Sequence, residues 1–526
     1  MLKQLFTFLL GPMLALVIWL FLPAVEPTDS TVVALTHPAK AVLAGTVWIA
    51  AWWILEVIPI SATALLPMIL FPLSGALDLK STAAAYANPM IFLFMGGFMI
   101  AVTIEKWNLH KRIALNIILA VGSDLRYIIL GFMLATGFLS AWISNTATAV
   151  MMMPIGMAVA GQLISGLDSH ILRPNDLGCA LMLAIAYGCS IGGMATIIGT
   201  PTNVAFTGIV EEIYGIQIGF GQWMAFGAPI AISLLYLSWL YLVRVAYPIP
   251  KNTSVAGGRQ EIERQLKLLG PMSTPEKQVA LVFGLVALAW ISRSFLLKPL
   301  IPGISDTIIG LIGVIVLFSW RVPVSKDEVE EFKGATEPDA FVHDRANLNQ
   351  PKYTRLLDWQ TAEGIPWGIL LLFGGGLSIA AAFQASGLDQ WIGLKLSGLG
   401  VLPFLLLLFI LTAAVNFLTE ITSNVATASM LLPILAALSL SLGLHPYGLM
   451  IACTVAASCA FMLPVATPPN AVVFGSGYLT IPGMIRVGIW MNILSIVLLT
   501  LVVYYWLPLA WGIDLSIYPE ELKVSE

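Results

Sequence analysis

The chain has 526 residues, of which 58% are hydrophobic and only 10% charged. Water-soluble domains run at about 45–50% apolar and about 25% charged, so a soluble globular protein is excluded. A net charge of −4 offers no basic surface for nucleic acid. Cys179, Cys189, Cys453 and Cys459 sit in apolar runs without metal-ligand spacing, as reduced, inert thiols, and the five histidines are scattered through polar connectors. A metalloenzyme and a disulfide scaffold are excluded with them. The composition is that of an all-α polytopic membrane protein.

A crossing needs about 20 mostly apolar residues, because the hydrocarbon core is about 30 Å thick. Such stretches fall at 5–22, 41–58, 62–78, 88–104, 129–165, 177–207, 222–246, 278–296, 306–320, 364–386, 401–441, 447–477 and 487–509. Residues 5–22 are too long for a signal peptide and no small-residue cleavage site follows them, so they read as a first helix. The stretches 129–165 and 401–441 are too long for one crossing and each is interrupted halfway by polar residues, which predicts re-entrant hairpins.

Cytoplasmic connectors carry an excess of Lys and Arg. Connector 105–126 holds Lys106, Lys111, Arg112 and Arg126, and connector 244–277 holds Arg244, Lys251, Arg259, Arg264, Lys267 and Lys277. Acidic residues mark the other side: Glu26 and Asp29, Glu211 and Glu212, and a tail with Asp514, Glu520, Glu521 and Glu526. A cytoplasmic N-terminus, eleven crossings and two non-crossing hairpins put each of these segments on its expected side, with the C-terminus outside. The charged loop 321–363 carries no recognisable chemistry.

An internal repeat underlies this order. Ser144-Asn145-Thr146-Ala147-Thr148-Ala149 with Pro154 recurs 279 positions later as Ser423-Asn424-Val425-Ala426-Thr427-Ala428 with Pro433. At the same offset Gly96-Gly97 matches Gly375-Gly376, and Trp107-Asn108-Leu109 matches Ser386-Gly387-Leu388. Downstream, Gly199-Thr200-Pro201-Thr202-Asn203 matches Ala466-Thr467-Pro468-Pro469-Asn470. Five predicted crossings separate the hairpins, so the second copy lies upside down relative to the first. Inverted repeats with polar, Gly/Pro-interrupted segments at matching places are the pattern of a secondary transporter with its site near the midplane.

Ser, Thr and Asn at a hairpin tip are good N-caps and keep backbone groups paired where lipid cannot. A helix beginning there carries roughly half a positive charge at its N-terminus and favours an anion. Hydroxyl and amide oxygens, with carbonyls freed at the helix breaks, suit Na⁺. Pro201 and Pro468 break a second helix in each copy and free further carbonyls. The glycine pairs read as close-packing devices. Glu420, opposite Ala141 in the repeat, is either a functional intramembrane acid or a carboxylate bonded to backbone N–H groups, while Glu56 and Glu105 sit near span ends. With no Lys or Arg inside the motif segments, helix dipoles and co-bound cations must balance an anion, which points to cation-coupled uptake.

These motifs, together with Gly96-Gly97 through Lys111-Arg112, resemble the divalent anion/sodium symporter family over residues 41 to 509. The resemblance implies a homodimer in the cell membrane, with a fixed scaffold and an elevator-type transport domain. Scaffold helices would occupy 1–87. The first inverted repeat would be 88–221, with hairpin 129–165 and broken helix 177–207. Scaffold helices and cytoplasmic linkers would follow over 222–363, then the second repeat over 364–486, with hairpin 401–441 and broken helix 447–477. The last helix and an outward tail would complete the chain at 487–526.

The resemblance also implies two Na⁺ sites, one near Ser140, Ser144, Asn145 and Gly199, the other near Thr419, Thr422, Asn424 and Ala466. The substrate would meet Ser144, Asn145, Thr146, Thr200 and Pro201 from one repeat and Ser423, Asn424, Val425, Thr467 and Pro468 from the other. Val425 departs from the Ser-Asn-Thr pattern and removes a hydroxyl. The leading expectation is Na⁺-coupled symport of C4-dicarboxylates (succinate, malate, fumarate), with no organic cofactor and no enzymatic activity. The alternatives on the same fold are a Na⁺-independent di- or tricarboxylate exchanger and a Na⁺-coupled citrate or sulfate symporter.

Overall fold

A computed structural model describes residues 2–25, 33–122, 124–165, 174–251, 257–323, 341–344 and 347–522. Glu26, Asp29, His170, most of the charged loop and the end of the tail, including Glu526, lie outside the described residues, as does the side chain of His343. The described chain is mostly helical. Nine of its helices are long and apolar enough to cross a membrane, or ten if Leu388–Val401 and Phe404–Leu418, bent by 117° at their junction, form one span.

Local chemistry sets the helix limits. Thr36 caps His37–Leu55 by accepting from Ala39 N–H, and the helix ends where Glu56 turns left-handed (φ 46°). Ser273 and Glu276 form a capping box at the start of Thr274–Ser292. Proline divides the predicted span 62–78, which appears as Ile60–Thr63 and Pro67–Ser74 rather than one helix.

The predicted connectors hold structure of their own. Within 105–126 lies the helix Leu109–Val121, and within 244–277 the helix Gly258–Leu268. The all-α expectation needs one correction: the linker forms a three-stranded antiparallel sheet, Arg321–Pro323 and Phe341–Asp344 pairing on either side of Asn347–Arg355. Its short strands lie where hydropathy carries no helical stripe, and Val322, the middle residue of the first strand, is buried. Beyond the sheet, Lys106 is ion-paired with Asp358, and Trp107 Nε1 donates to the Leu356 carbonyl at 2.8 Å.

The two repeats share one element order. In the first, Pro89–Lys106 leads to the arm helix Leu109–Val121, the hairpin Leu125–Ser140 and Asn145–Ser165, and the broken helix Pro174–Gly193 and Pro201–Tyr214. In the second, Trp367–Ser386 leads to the arm Leu388–Leu396, the hairpin Phe404–Leu418 and Asn424–Leu442, and the broken helix Pro446–Ala457 and Pro468–Phe474. The turn into each arm is left-handed at the matched position, with φ 55° at Asn108 and 70° at Gly387. Such a backbone suits Asn and Gly, which explains both residues. The glycine pairs sit in close packing: a Cβ on Gly375 would lie 2.7 Å from the Ala64 carbonyl and one on Gly97 3.3 Å from Ile198. The four cysteines are free and buried.

Candidate functional site

In each repeat a helix ends at Ser140 or Leu418 and the next begins at the Ser-Asn motif, so the polar side chains of this junction meet the broken helix at the level of the break. In the first repeat Ser140 Oγ bonds Asn145 Oδ1 and donates to the Cys189 carbonyl at 2.7 Å. In the second Thr419 Oγ1 bonds Asn424 Oδ1 at 2.7 Å and donates to the Ala457 carbonyl at 2.9 Å. Ser140 and Thr419 are 279 positions apart, as are the two asparagines. A hydroxyl, an amide oxygen and a backbone carbonyl thus converge twice, with the same connectivity.

The breaks are held open by a second matched pair. Asn203 Nδ2 donates to the carbonyls of Gly193 (3.3 Å), Met194 (3.4 Å) and Thr196 (2.8 Å). Asn470 Nδ2 donates to those of Ala460 (3.1 Å) and Leu463 (3.0 Å). Gly193 and Ala460, and Thr196 and Leu463, keep the 267-position offset that relates Asn203 to Asn470. Among the described residues, the Oδ1 atoms of both asparagines are buried acceptors without a hydrogen-bond partner. Thr200 and Thr467 open the following helices in almost identical backbone conformations, φ −140° with ψ 141° and 148°.

The first cluster is tightly assembled around glycine. A Cβ on Gly193 would stand 2.7 Å from Asn145 Oδ1 and 2.9 Å from the Gly199 carbonyl, and one on Gly199 would stand 3.0 Å from the Ser140 carbonyl. Ser140, Asn145 and Gly199 are therefore together. Ser144 is turned to a capping role, accepting from Ala147 N–H at 3.2 Å, and Thr146 is exposed. Ser423 occupies the matching N-cap without a capping bond from its hydroxyl. Thr422 faces elsewhere: its hydroxyl donates to the Leu418 carbonyl (2.8 Å) and meets Thr427 Oγ1 (2.7 Å), beside Trp53 and Ile54. Val425 is half-buried against hydrophobic neighbours, Ala466 and Thr467 are buried, Pro201 is half-buried and Pro468 exposed. Thr200 reaches the other repeat through Thr202, whose hydroxyl bonds Ser458 Oγ at 2.8 Å.

Sequence reasoning did not assign Gly193, the Cys189 and Ala457 carbonyls, or the roles of Asn203 and Asn470. The asparagines were visible as matched letters; the carbonyls have no side-chain signal at all.

Two cavities flank the repeats. One of about 580 Å³ lies between the first arm, the second half of the first hairpin and Gly258–Leu268, and reaches Ala147 beside the motif. The other, about 210 Å³, lies between the second arm and second hairpin and is also lined by Tyr214, Tyr518 and Leu522. Four wall positions correspond at the 279-residue offset: Glu105 with Gln384, His110 with Asp389, Lys111 with Gln390, and Pro154 with Pro433.

A model of the family described as the sodium:sulfate symporter transmembrane region matches residues 3–512. The chain belongs to this family. It is 43% identical over 520 residues to the sodium-dependent dicarboxylate transporter SdcS of Staphylococcus saprophyticus, covering 98% of this chain and 93% of that protein. The SdcS protein of Staphylococcus aureus strain USA300 is 42% identical over 517 residues, with the same coverage. Among solved structures, the Alcanivorax borkumensis YdaH transporter superposes with a TM-score of 0.57 at 14% identity, covering 97% of this chain and 98% of that one. Neisseria gonorrhoeae MtrF gives 0.55 at 11% identity, covering 96% and 94%. These two share the symporter's fold.

Proposed function

We propose that this protein is a Na⁺-coupled symporter of C4-dicarboxylates such as succinate, malate and fumarate, and not an enzyme. The observation that carries the reading is the duplicated cluster of hydroxyl, amide oxygen and carbonyl at Ser140–Asn145–Cys189 and Thr419–Asn424–Ala457. Each cluster consists of hard oxygen donors at a helix break, the chemistry that replaces the hydration shell of an alkali cation. The names of the 43%- and 42%-identical relatives supply the ion and the anion class. The Ser144-Asn145-Thr146 and Ser423-Asn424-Val425 motifs start the helices Asn145–Ser165 and Asn424–Leu442, whose N-terminal dipoles favour a carboxylate between two cations. Ser140, Ser144, Asn145 and Gly199 are assigned to one Na⁺ and Thr419, Asn424 and Ala466 to the other; Thr422, expected beside them, is bonded to Leu418 and Thr427 instead. Thr200, Pro201, Thr467 and Pro468 complete the substrate site.

The same reading has the chain in the cell membrane as a homodimer, N-terminus inside and tail outside, with eleven crossings and two re-entrant hairpins. The repeats are inverted, and the hairpins and broken helices move together as an elevator. Corresponding wall positions around cavities of unequal size support alternating access, with the larger cavity beside the basic connectors. Uptake of labelled succinate into proteoliposomes with an inward Na⁺ gradient tests the function. Equal uptake with K⁺ replacing Na⁺ would refute coupling. Single-cysteine labelling of the tail only after permeabilisation would refute the orientation.

A further inference from the structure

Glu420 stands one residue from Thr419, on the tip of the second hairpin, and is buried. Its Oε1 accepts from Phe461 N–H at 2.7 Å, Met462 N–H at 3.0 Å and Asn492 Nδ2 at 2.7 Å. Its Oε2 accepts from Met462 N–H at 3.2 Å and Leu463 N–H at 3.1 Å. Every neighbour in this set is a donor. A carboxylate satisfies such a set with both oxygens, and a neutral amide of the same size cannot, because its NH₂ would face N–H groups. The three backbone donors are consecutive residues of the broken stretch between Pro446–Ala457 and Pro468–Phe474.

That stretch continues into the second cluster. Ala466 N–H donates to the Leu463 carbonyl at 3.2 Å, and Asn470 bonds the same carbonyl. A continuous path therefore runs from the hairpin tip through Glu420 and Leu463 to Ala466. The first repeat has the same path in other atoms. Ala141, at Glu420's matched position, offers its carbonyl to Thr196 Oγ1, and Thr196 Oγ1 accepts from Gly199 N–H at 3.0 Å. Thr196 and Leu463 are matched, as are Gly199 and Ala466. A tip-to-break tie is thus built in both copies, by a threonine hydroxyl in one and a glutamate in the other.

We propose that Glu420 is a positioning residue for the second cation site alone: its carboxylate fixes residues 461–463, and through them Ala466, against the tip that carries Thr419 and Asn424. The inference rests on the reading of these residues as a Na⁺ site. Groups that orient a cation's ligands without touching it typically change its affinity by 10–100-fold when removed.

The test is a pair of double-mutant cycles read as the Na⁺ concentration for half-maximal succinate uptake in proteoliposomes, with thermal unfolding measured on the same preparations. Glu420→Gln is expected to raise half-saturation by roughly tenfold. Combined with Thr419→Ala its effect should largely vanish, since both act on one site; combined with Ser140→Ala the two effects should multiply. Asn492→Ala, which removes one donor of four, should shift half-saturation in the same direction by less, and carries the same cycles if Glu420→Gln does not fold. Equal coupling to Ser140 and Thr419, or a lower unfolding temperature with unchanged Na⁺ half-saturation, overturns the proposal and leaves Glu420 a general brace. A wild-type protein that takes up succinate without Na⁺ refutes the symport reading instead, and the cation site served by Glu420 falls with it.

Discussion

The two hairpin and broken-helix pairs reach one geometry by different chemistry. In the first, Gly137 and Gly192 bring backbones into contact: a Cβ on Gly192 would lie 2.2 Å from the Gly137 carbonyl. At the matched places the second carries Asn416 and Cys459, and the space is bridged by Asn416 Nδ2 donating to the Cys459 carbonyl at 2.8 Å and to Ser495 Oγ at 3.1 Å. Close packing in one copy is a polar network in the other. What the copies hold in common is narrower: the Ser/Thr–Asn pair on a carbonyl, and the asparagine that spans the break. Divergent atoms carry the scaffolding of each half, and the shared ones are those proposed above as the two ion sites.

The comparison breaks most visibly at the shared atoms. Asn145→Ala and Asn424→Ala should each abolish Na⁺-dependent uptake while the protein remains folded, because no neighbouring group replaces the lost amide oxygen. Uptake with unchanged Na⁺ dependence in either variant would remove that copy from the ion sites. The next effect separates the copies. Gly192→Ala drives a methyl into backbone and should destabilise the fold by about 1–3 kcal/mol or more, whereas Cys459→Ala, which keeps the carbonyl that Asn416 bonds, should cost about 1 kcal/mol. Similar unfolding temperatures for the two variants would contradict the contrast between packing and network.

Val425→Thr restores the missing hydroxyl of the second motif. The competition profile of succinate, malate, citrate and sulfate should shift by a few-fold with Na⁺ dependence kept, since a polar lining discriminates more sharply than an apolar wall. An identical profile would mean that Val425 does not line the site. The smallest effect concerns His110 on the first arm and His445 at the cap of Pro446–Ala457. Burial lowers each imidazole to about 4, and the unfolded forms protonate near the ordinary 6.5. Below pH 6.5 the unfolded chain binds more protons than the folded one, so stability should fall progressively toward pH 4. His110→Gln and His445→Gln should each flatten that slope in thermal unfolding.

Much of this architecture was written in the letters. Apolar run length, two overlong interrupted runs and the recurrence of Ser-Asn with a downstream proline mark the two polar helix junctions and both breaks, because each needs a residue type that a membrane helix otherwise avoids. The arm helices fall in segments that hydropathy marks as connectors, since a short amphipathic helix such as Leu109–Val121, with Lys111 and Arg112, makes no span-length apolar run. The small sheet is not legible in the sequence because its short strands make no hydropathy pattern. Thr422 looked equivalent to its neighbours in the string, yet its side chain is committed to Leu418 and Thr427. Glu420 was visible as an anomaly, and only three consecutive N–H groups, which no letter encodes, disclose its bonding.

The unequal cavities also have a meaning in water. At about 30 Å³ per molecule, a space of about 580 Å³ holds on the order of twenty waters and one of about 210 Å³ about seven. If the two exchange sizes in a transport cycle, roughly a dozen waters leave one face and enter at the other with each passage. Hydration is then a coordinate of the cycle, and a polymer too large to enter the open cavity, added on that side alone, should draw the carrier toward the opposite orientation. Uptake that is indifferent to such one-sided osmotic stress would mean that the cavities do not trade volume.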